Sequence, residues 1–263
     1  QEVRDRASAV FRRLTNSIVQ VSSLEAAEIV KLVDNTYRDV QFAFANEVAR
    51  ACEPFGVNAL EVIRAGKLGY PRTNVPLPGL VGGPCLEKDP HILRQSLQPH
   101  GLELEITAAA RLVNERQPEE TADVIAAELA RRGAGPAPVV ALLGMAFKGV
   151  PETDDLRGSM SIKVLRALRA RLPGATIRLF DAVAPAEALA GLDPAASVAA
   201  SLEAAVRDAH VAVIANNHPA LGRTPLPGLS AAWRRAPSST TTGTISAISA
   251  PPSSAASTSP SAI

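Results

Sequence analysis

The stretch GGPCLEKDP, residues 82–90, sets Cys85 behind Gly82, Gly83 and Pro84, with Asp89 four residues further on. A thiol so placed has two uses: it packs as a small hydrophobe, or it attacks a carbonyl carbon. Attack needs a cation that favours the thiolate and donors that hold developing oxyanion charge. The two glycines allow close backbone approach, and Pro76, Pro78 and Pro84 stiffen the loop, so this cysteine can be presented into a cleft. Lys31 and Asn35 are the complementary pair: four residues apart, they share one helix face that can lie against the cysteine loop. Taken alone, a Lys and an Asn on a helix are ordinary solvated surface. Cys52, the other cysteine, falls on the apolar face of the same helical segment and reads as a packing residue.

The elements that must position these groups follow from periodicity. Residues 2–14 have helical spacing and 17–23 (SIVQVSS) the alternation of a short strand, together read as a domain's last pieces. Residues 24–52 contain no Gly or Pro and repeat apolar positions at three and four, which predicts one helix of roughly eight turns capped by Ser23. A shorter helix over 58–66 precedes the Pro- and Gly-rich loop that runs into Cys85. Residues 103–132 are helical with an interruption near Gln117-Pro118. Pro118, Glu119 and Glu120 suit the start of the second piece, and Arg131, Arg132 and Gly133 its end. Past GAGPAP (133–138) the pattern changes to strands at 139–144, 176–182 and 209–216, alternating with helices at 161–172 and 201–208. That alternation predicts a parallel α/β sheet. The expected fold class is therefore α/β: an all-helical central domain over 24–132, then a Rossmann-like domain over 137–235. Residues 236–263 carry no charge and are dominated by Ser, Thr, Ala and Pro, so they are expected to be disordered and outside the sheet. Residues 240–247 can be encoded one base out of frame from YDYWNHFSA, and the tail is read as a frameshift product.

Composition excludes several classes. Lys and Arg number 27 against 26 Asp and Glu, too balanced to recruit nucleic acid or an anionic membrane by charge alone. There is no apolar run of about 18 residues and no signal peptide, and two cysteines build no disulfide framework, so a cytoplasmic protein is expected. The start at Gln1 suggests a missing upstream segment.

Three segments in order, AEIVKLVDNTYRDVQFAFANEVA (27–49), PGLVGGPCLEKDP (78–90) and LLGMAFKGVPETDDLRGS (142–159), resemble the UDP-glucose/GDP-mannose dehydrogenase family of nucleotide-sugar 6-dehydrogenases. The resemblance implies NAD as cofactor, a UDP-sugar as substrate, and two hydride transfers that turn a primary alcohol into a carboxylate. It makes Cys85 the nucleophile, with Lys31 and Asn35 stabilising the oxyanion and Asp89 positioning Lys31 or activating water. Substrate contacts are implied for Lys31, Asn35, Pro78, Gly79, Gly82, Phe147 and Lys148, and for Arg72 from a neighbouring subunit. Cofactor contacts are implied for Gly83, Cys85, Lys88 and Arg157. A homodimer through the long helix is expected, with no metal, nucleic acid or membrane partner. The family's G-x-G-x-x-G turn is absent, so residues 1–23 are expected to be the remnant of a cofactor domain. The alternative from another class is a catalytically inactive module that dimerises and binds nucleotide sugar.

Overall fold

The computed structural model describes residues 2–70, 72–223, 241–242 and 245–249. Helix α1 (Glu2–Phe11) opens the chain. Residues 17–23 form no strand; they are coil, tied to α1 by Gln20 Nε2 donating to Ser8 Oγ at 3.1 Å. Alternation alone was misleading there, because a strand needs a ladder partner. Helix α2 (Leu24–Cys52) runs unbroken for 29 residues, with the Ser23 side chain accepting from the Ala26 amide. It is the axis of the helical unit. Helices α3 (Ala59–Lys67), α4 (Gly83–Leu86), α5 (Asp89–Leu97) and α6 (Glu105–Glu115) follow, and α2 packs against α4, α5 and α6.

Helix α7 (Gln117–Arg131) begins as expected, with Pro118 in its first turn. Its packing is with the sheet. Ala122, Ile125 and Leu129 are buried in the core of the α/β unit rather than among the central helices. Its apolar stripe matches the sheet's open face, and GAGPAP only turns the chain from α7 into the first strand.

That unit holds β1 (Val139–Leu143), α8 (Met160–Arg171), β2 (Thr176–Phe180), α9 (Ala186–Ala190), β3 (Ser197–Val198), α10 (Leu202–Val206), β4 (Val211–Ile214) and α11 (Pro219–Arg223). Strands β3, β2, β1 and β4 are parallel neighbours in that order. Val140 and Leu142 point to one face with Ile177, Leu179, Val211 and Val213, under α7 and α8. Ala141 and Leu143 point to the other, under α10. A strand covered on both faces is apolar throughout, which is why 139–143 shows no polar alternation.

Two short pieces of the tail are described, and both lie at the sheet edge. β6 (Ile245–Ser249) pairs antiparallel with β4, and β5 (Thr241–Thr242) with β6. Thr and Ile favour extended backbone, and β4 presents an edge for them to satisfy. The remainder of that tail lies outside the described residues. Among the described residues no helix is long and apolar enough to cross a membrane. Nor do any place three His, Cys, Asp or Glu side chains where they would hold a metal ion.

Candidate functional site

Asp89 is the hub. Its side chain is fully buried at the start of α5, yet receives three donors: Lys31 Nζ at 2.5 Å and Asn35 Nδ2 at 2.6 Å on one oxygen, and Lys88 Nζ at 2.7 Å on the other. Lys31 and Asn35 reach it together because their spacing stacks them on one face of α2. Burial pushes the Asp89 carboxyl up, but the hydrogen bonds from Lys31, Lys88 and Asn35 outweigh it and hold the group at about 2. The Asp89 hydrogen bond in turn raises Lys31 above its ordinary value, with smaller upward contributions from the charges of Asp89 and Cys85. The ammonium is thus held charged within electrostatic reach of the thiol.

Cys85 lies on α4 with its thiol free and exposed. It lines a cleft of about 600 Å³ between the helical and α/β units, together with Pro78, Gly82, Gly83, Phe147 and Lys148. Backbone contact welds the two units at this point. The Gly83 amide donates to Gly158 O at 2.7 Å, and Glu87 pairs with Lys163 of α8. Gly83 has φ +88°, and a Cβ there would meet Phe147 Cδ2 at 2.6 Å; a Cβ on Gly82 would meet Met160 Cγ at 2.5 Å. Both positions exclude a side chain because the domains touch there. Lys148 Nζ stands 5.1 Å from the centroid of the Phe147 ring.

Not every expected residue lines the cleft, and Lys31, Asn35, Lys88 and Asp89 are not among its lining residues. Gly79 lies behind it, bonded through both its amide and its carbonyl to Asn46. Arg157 is exposed and turned onto Asp155, with Nη2 to Oδ2 at 2.8 Å, a pairing that holds the Asp155 carboxyl down at about 2. Arg72 is exposed in the loop and is not part of the lining. Arg38, Phe42, Asn216 and Asn217 line the cleft without having been anticipated. Arg38 was findable, because it lies seven residues from Lys31 and so on the same face of α2. Asn216 and Asn217 follow β4, at the carboxyl end of a parallel sheet, where such folds bind ligands.

Comparison with known proteins gives this geometry a family. The central-domain description of the UDP-glucose/GDP-mannose dehydrogenase family matches residues 25–116, and its UDP-binding-domain description matches 141–238. The chain belongs to this family. A UDP-N-acetyl-D-mannosamine dehydrogenase of Pyrococcus horikoshii is 32% identical over 221 residues, covering 83% of this chain and 48% of that protein. An NDP-N-acetyl-D-galactosaminuronic acid dehydrogenase of Ralstonia solanacearum is 36% identical over 168 residues, covering 62% of this chain and 38% of that protein. Among solved structures, a UDP-D-ManNAc dehydrogenase from Pyrococcus horikoshii superposes with a TM-score of 0.73 at 30% identity, over 88% of this chain and 51% of that one. A UDP-glucose dehydrogenase from Pyrobaculum islandicum gives 0.71 at 27% identity, over 83% of this chain and 50% of that one. This chain spans about half the length of these relatives at most.

Proposed function

We infer that this chain is the nucleotide-sugar-holding and cysteine-bearing part of an NAD-dependent nucleotide-sugar 6-dehydrogenase, with a UDP-N-acetylhexosamine as substrate. The observation that carries this reading is the exposed Cys85 thiol on a cleft shared with the UDP-binding-domain match, beside an ammonium kept charged by Asp89. The N-acetyl group is favoured by the names of the two relatives above.

In this reading the sugar nucleotide lies along the cleft, its diphosphate toward Lys148 and Arg38 and its C6 end toward Cys85. Once C6 is an aldehyde, Cys85 sulfur bonds to it, the carbonyl π pair moves to oxygen, and that oxygen takes a proton to give a thiohemiacetal. Lys31 and Asn35 hold the developing oxyanion and Asp89 holds Lys31. Covalent capture retains the aldehyde until the second oxidation and hydrolysis free the carboxylate.

A nicotinamide dinucleotide supplies hydride acceptance when bound. The described residues do not fit it by themselves: β1 runs into α8 through a long loop, residues 144–159, with no G-x-G-x-x-G turn to seat a pyrophosphate on the helix N-terminus. Binding of that group is therefore assigned to protein outside these residues. The test is a protein carrying this chain with a dinucleotide-binding domain, assayed for NADH and carboxylate. About two NADH per sugar nucleotide are expected, following from two hydride transfers, and Cys85→Ala should stop carboxylate formation. A Cys85→Ala protein that makes carboxylate at the parent rate refutes the assignment.

A second reading, a non-catalytic dimerisation and nucleotide-sugar-binding module, is favoured by the exposed apolar row Val30, Val33, Tyr37 and Phe44 on α2. It predicts calorimetric binding of UDP-sugar with no covalent adduct on Cys85.

A further inference from the structure

The face of α2 that carries Lys31 and Asn35 does not stop there. Asp39 and Asn46 continue the same row, at one turn and then two further turns along. Both are completely buried, as is Asn114 of α6, and Arg111 of α6 is 1% exposed. Arg111 Nη1 donates to Asp39 Oδ1 at 2.6 Å and to the Leu86 carbonyl, the residue after Cys85, at 3.2 Å. Asn114 Nδ2 donates to Asp39 O and Oδ1 at 3.0 and 2.9 Å. Asn46 Nδ2 donates to Asn114 Oδ1 and to Gly79 O, both at 3.0 Å, and Asn46 Oδ1 accepts from the Gly79 amide at 2.7 Å.

One row of α2 thus fixes the cysteine loop at three heights: Gly79 through Asn46, Leu86 through Asp39 and Arg111, and Asp89 through Asn35 and Lys31. The middle anchor matters most for the thiol. A four-residue helix has almost no internal ladder, so α4 takes its position from outside: Gly83 from the Gly158 carbonyl at one end, Leu86 from Arg111 at the other. A buried ion pair is weak evidence for stability, and its better-attested use is to specify one geometry.

We propose that Arg111, Asp39 and Asn46 are positioning residues whose buried hydrogen-bond ladder sets the height of the Cys85 thiol in the cleft for covalent capture of an aldehyde. The proposal rests on the dehydrogenase reading above. None of the three lines the cleft, so none touches a bound nucleotide directly.

The test uses the full chain and iodoacetamide alkylation of Cys85, read by peptide mass spectrometry. Protection is titrated with UDP, which only occupies the cleft, and with a UDP-6-aldehydo-hexose, whose C6 can bond to sulfur. In the parent chain the aldehyde should protect at a concentration at least about tenfold below UDP, because a covalent bond is added. Arg111→Lys keeps a charge opposite Asp39, but its shorter side chain ends short of the Nη1 position that bridges Asp39 Oδ1 and Leu86 O, and it loses the guanidinium bonds to Glu115. It should leave UDP half-protection within about twofold and abolish the tenfold advantage of the aldehyde. A loss spread equally over both ligands, or an undiminished aldehyde advantage in Arg111→Lys, overturns the proposal. No aldehyde advantage in the parent chain sinks the dehydrogenase reading instead. Should Arg111→Lys fail to show a cooperative melt, Asn46→Ser carries the same comparison, since a hydroxyl cannot bridge both Gly79 groups.

Discussion

Replacing Asp89 by Asn tests the hub of the site through stability alone. The carboxyl is held at about 2 against an ordinary 3.8, just under two pH units. At 1.36 kcal/mol per unit this is about 2.5 kcal/mol of stabilisation by the ionised form. Lys31 and Lys88 are 59% and 58% exposed, so solvent screening cuts the expectation to about 1–2 kcal/mol. The sign follows from the direction of the shift. A carboxyl depressed in the folded state contributes fully above its unfolded value and loses that contribution as pH falls toward its folded value. Urea unfolding of the parent and of Asp89→Asn, from about pH 6 down to about pH 2, should therefore show a stability gap that is constant above about pH 4 and shrinks steadily below it. Other titrating groups cancel in the difference. A gap independent of pH, or one that widens in acid, would refute the claim that an ionised Asp89 organises Lys31, Asn35 and Lys88.

Two further perturbations probe how the site is assembled. Gly83→Ala forces a side chain into a backbone with φ +88° and within 2.6 Å of Phe147, so thermal unfolding should show a loss of about 2–4 kcal/mol. An unchanged melting temperature would mean that the two units do not interlock there. Tyr37→Glu together with Val33→Glu, on the exposed side of α2, should convert a self-associated species into a monomer in sedimentation velocity while leaving the melt nearly unchanged; a parent chain already monomeric at high concentration removes that face as a dimer contact.

Much of the fold was legible because its signals are local. Helix α2 shows its length through the lack of Gly and Pro and its start through Ser23, and the structure adds only the hydrogen bond to the Ala26 amide. The doubly covered strand at 139–143 shows itself as an uninterrupted apolar run, since Val140 and Ala141 face different cores and both must be apolar. What failed was whatever depends on a distant partner. Residues 17–23 alternate like a strand but pair with no strand among the described residues, and the pairing of Ile245–Ser249 along β4 depends on that partner and leaves no mark in its composition. Helix α7 has a stripe that fits either neighbour, and only the packing of Ile125 and Leu129 against the sheet decides which.

The site divides along the same line. The spacing of Lys31 and Asn35 and the glycines before Cys85 are read directly from the chain, and the structure brings both amine and amide onto Asp89. Asp39 and Asn46 continue the same row and drew no attention, because a polar residue on a helix face carries no mark of being buried. Their burial becomes physically acceptable only when α6, some seventy residues later, supplies the partners: Arg111 and Asn114 donate to Asp39 Oδ1, and Asn114 Oδ1 accepts from Asn46. The opposite side of α2 carries Val30, Val33, Tyr37 and Phe44 in solvent, so one helix has a polar row turned inward to a loop and an apolar row turned outward. That inversion of the usual amphipathic order suits an element whose inner face must fix hydrogen-bonded geometry. Simple hydrophobic patterning would assign the two faces the wrong way round, and it therefore finds the helix while misplacing what the helix is for.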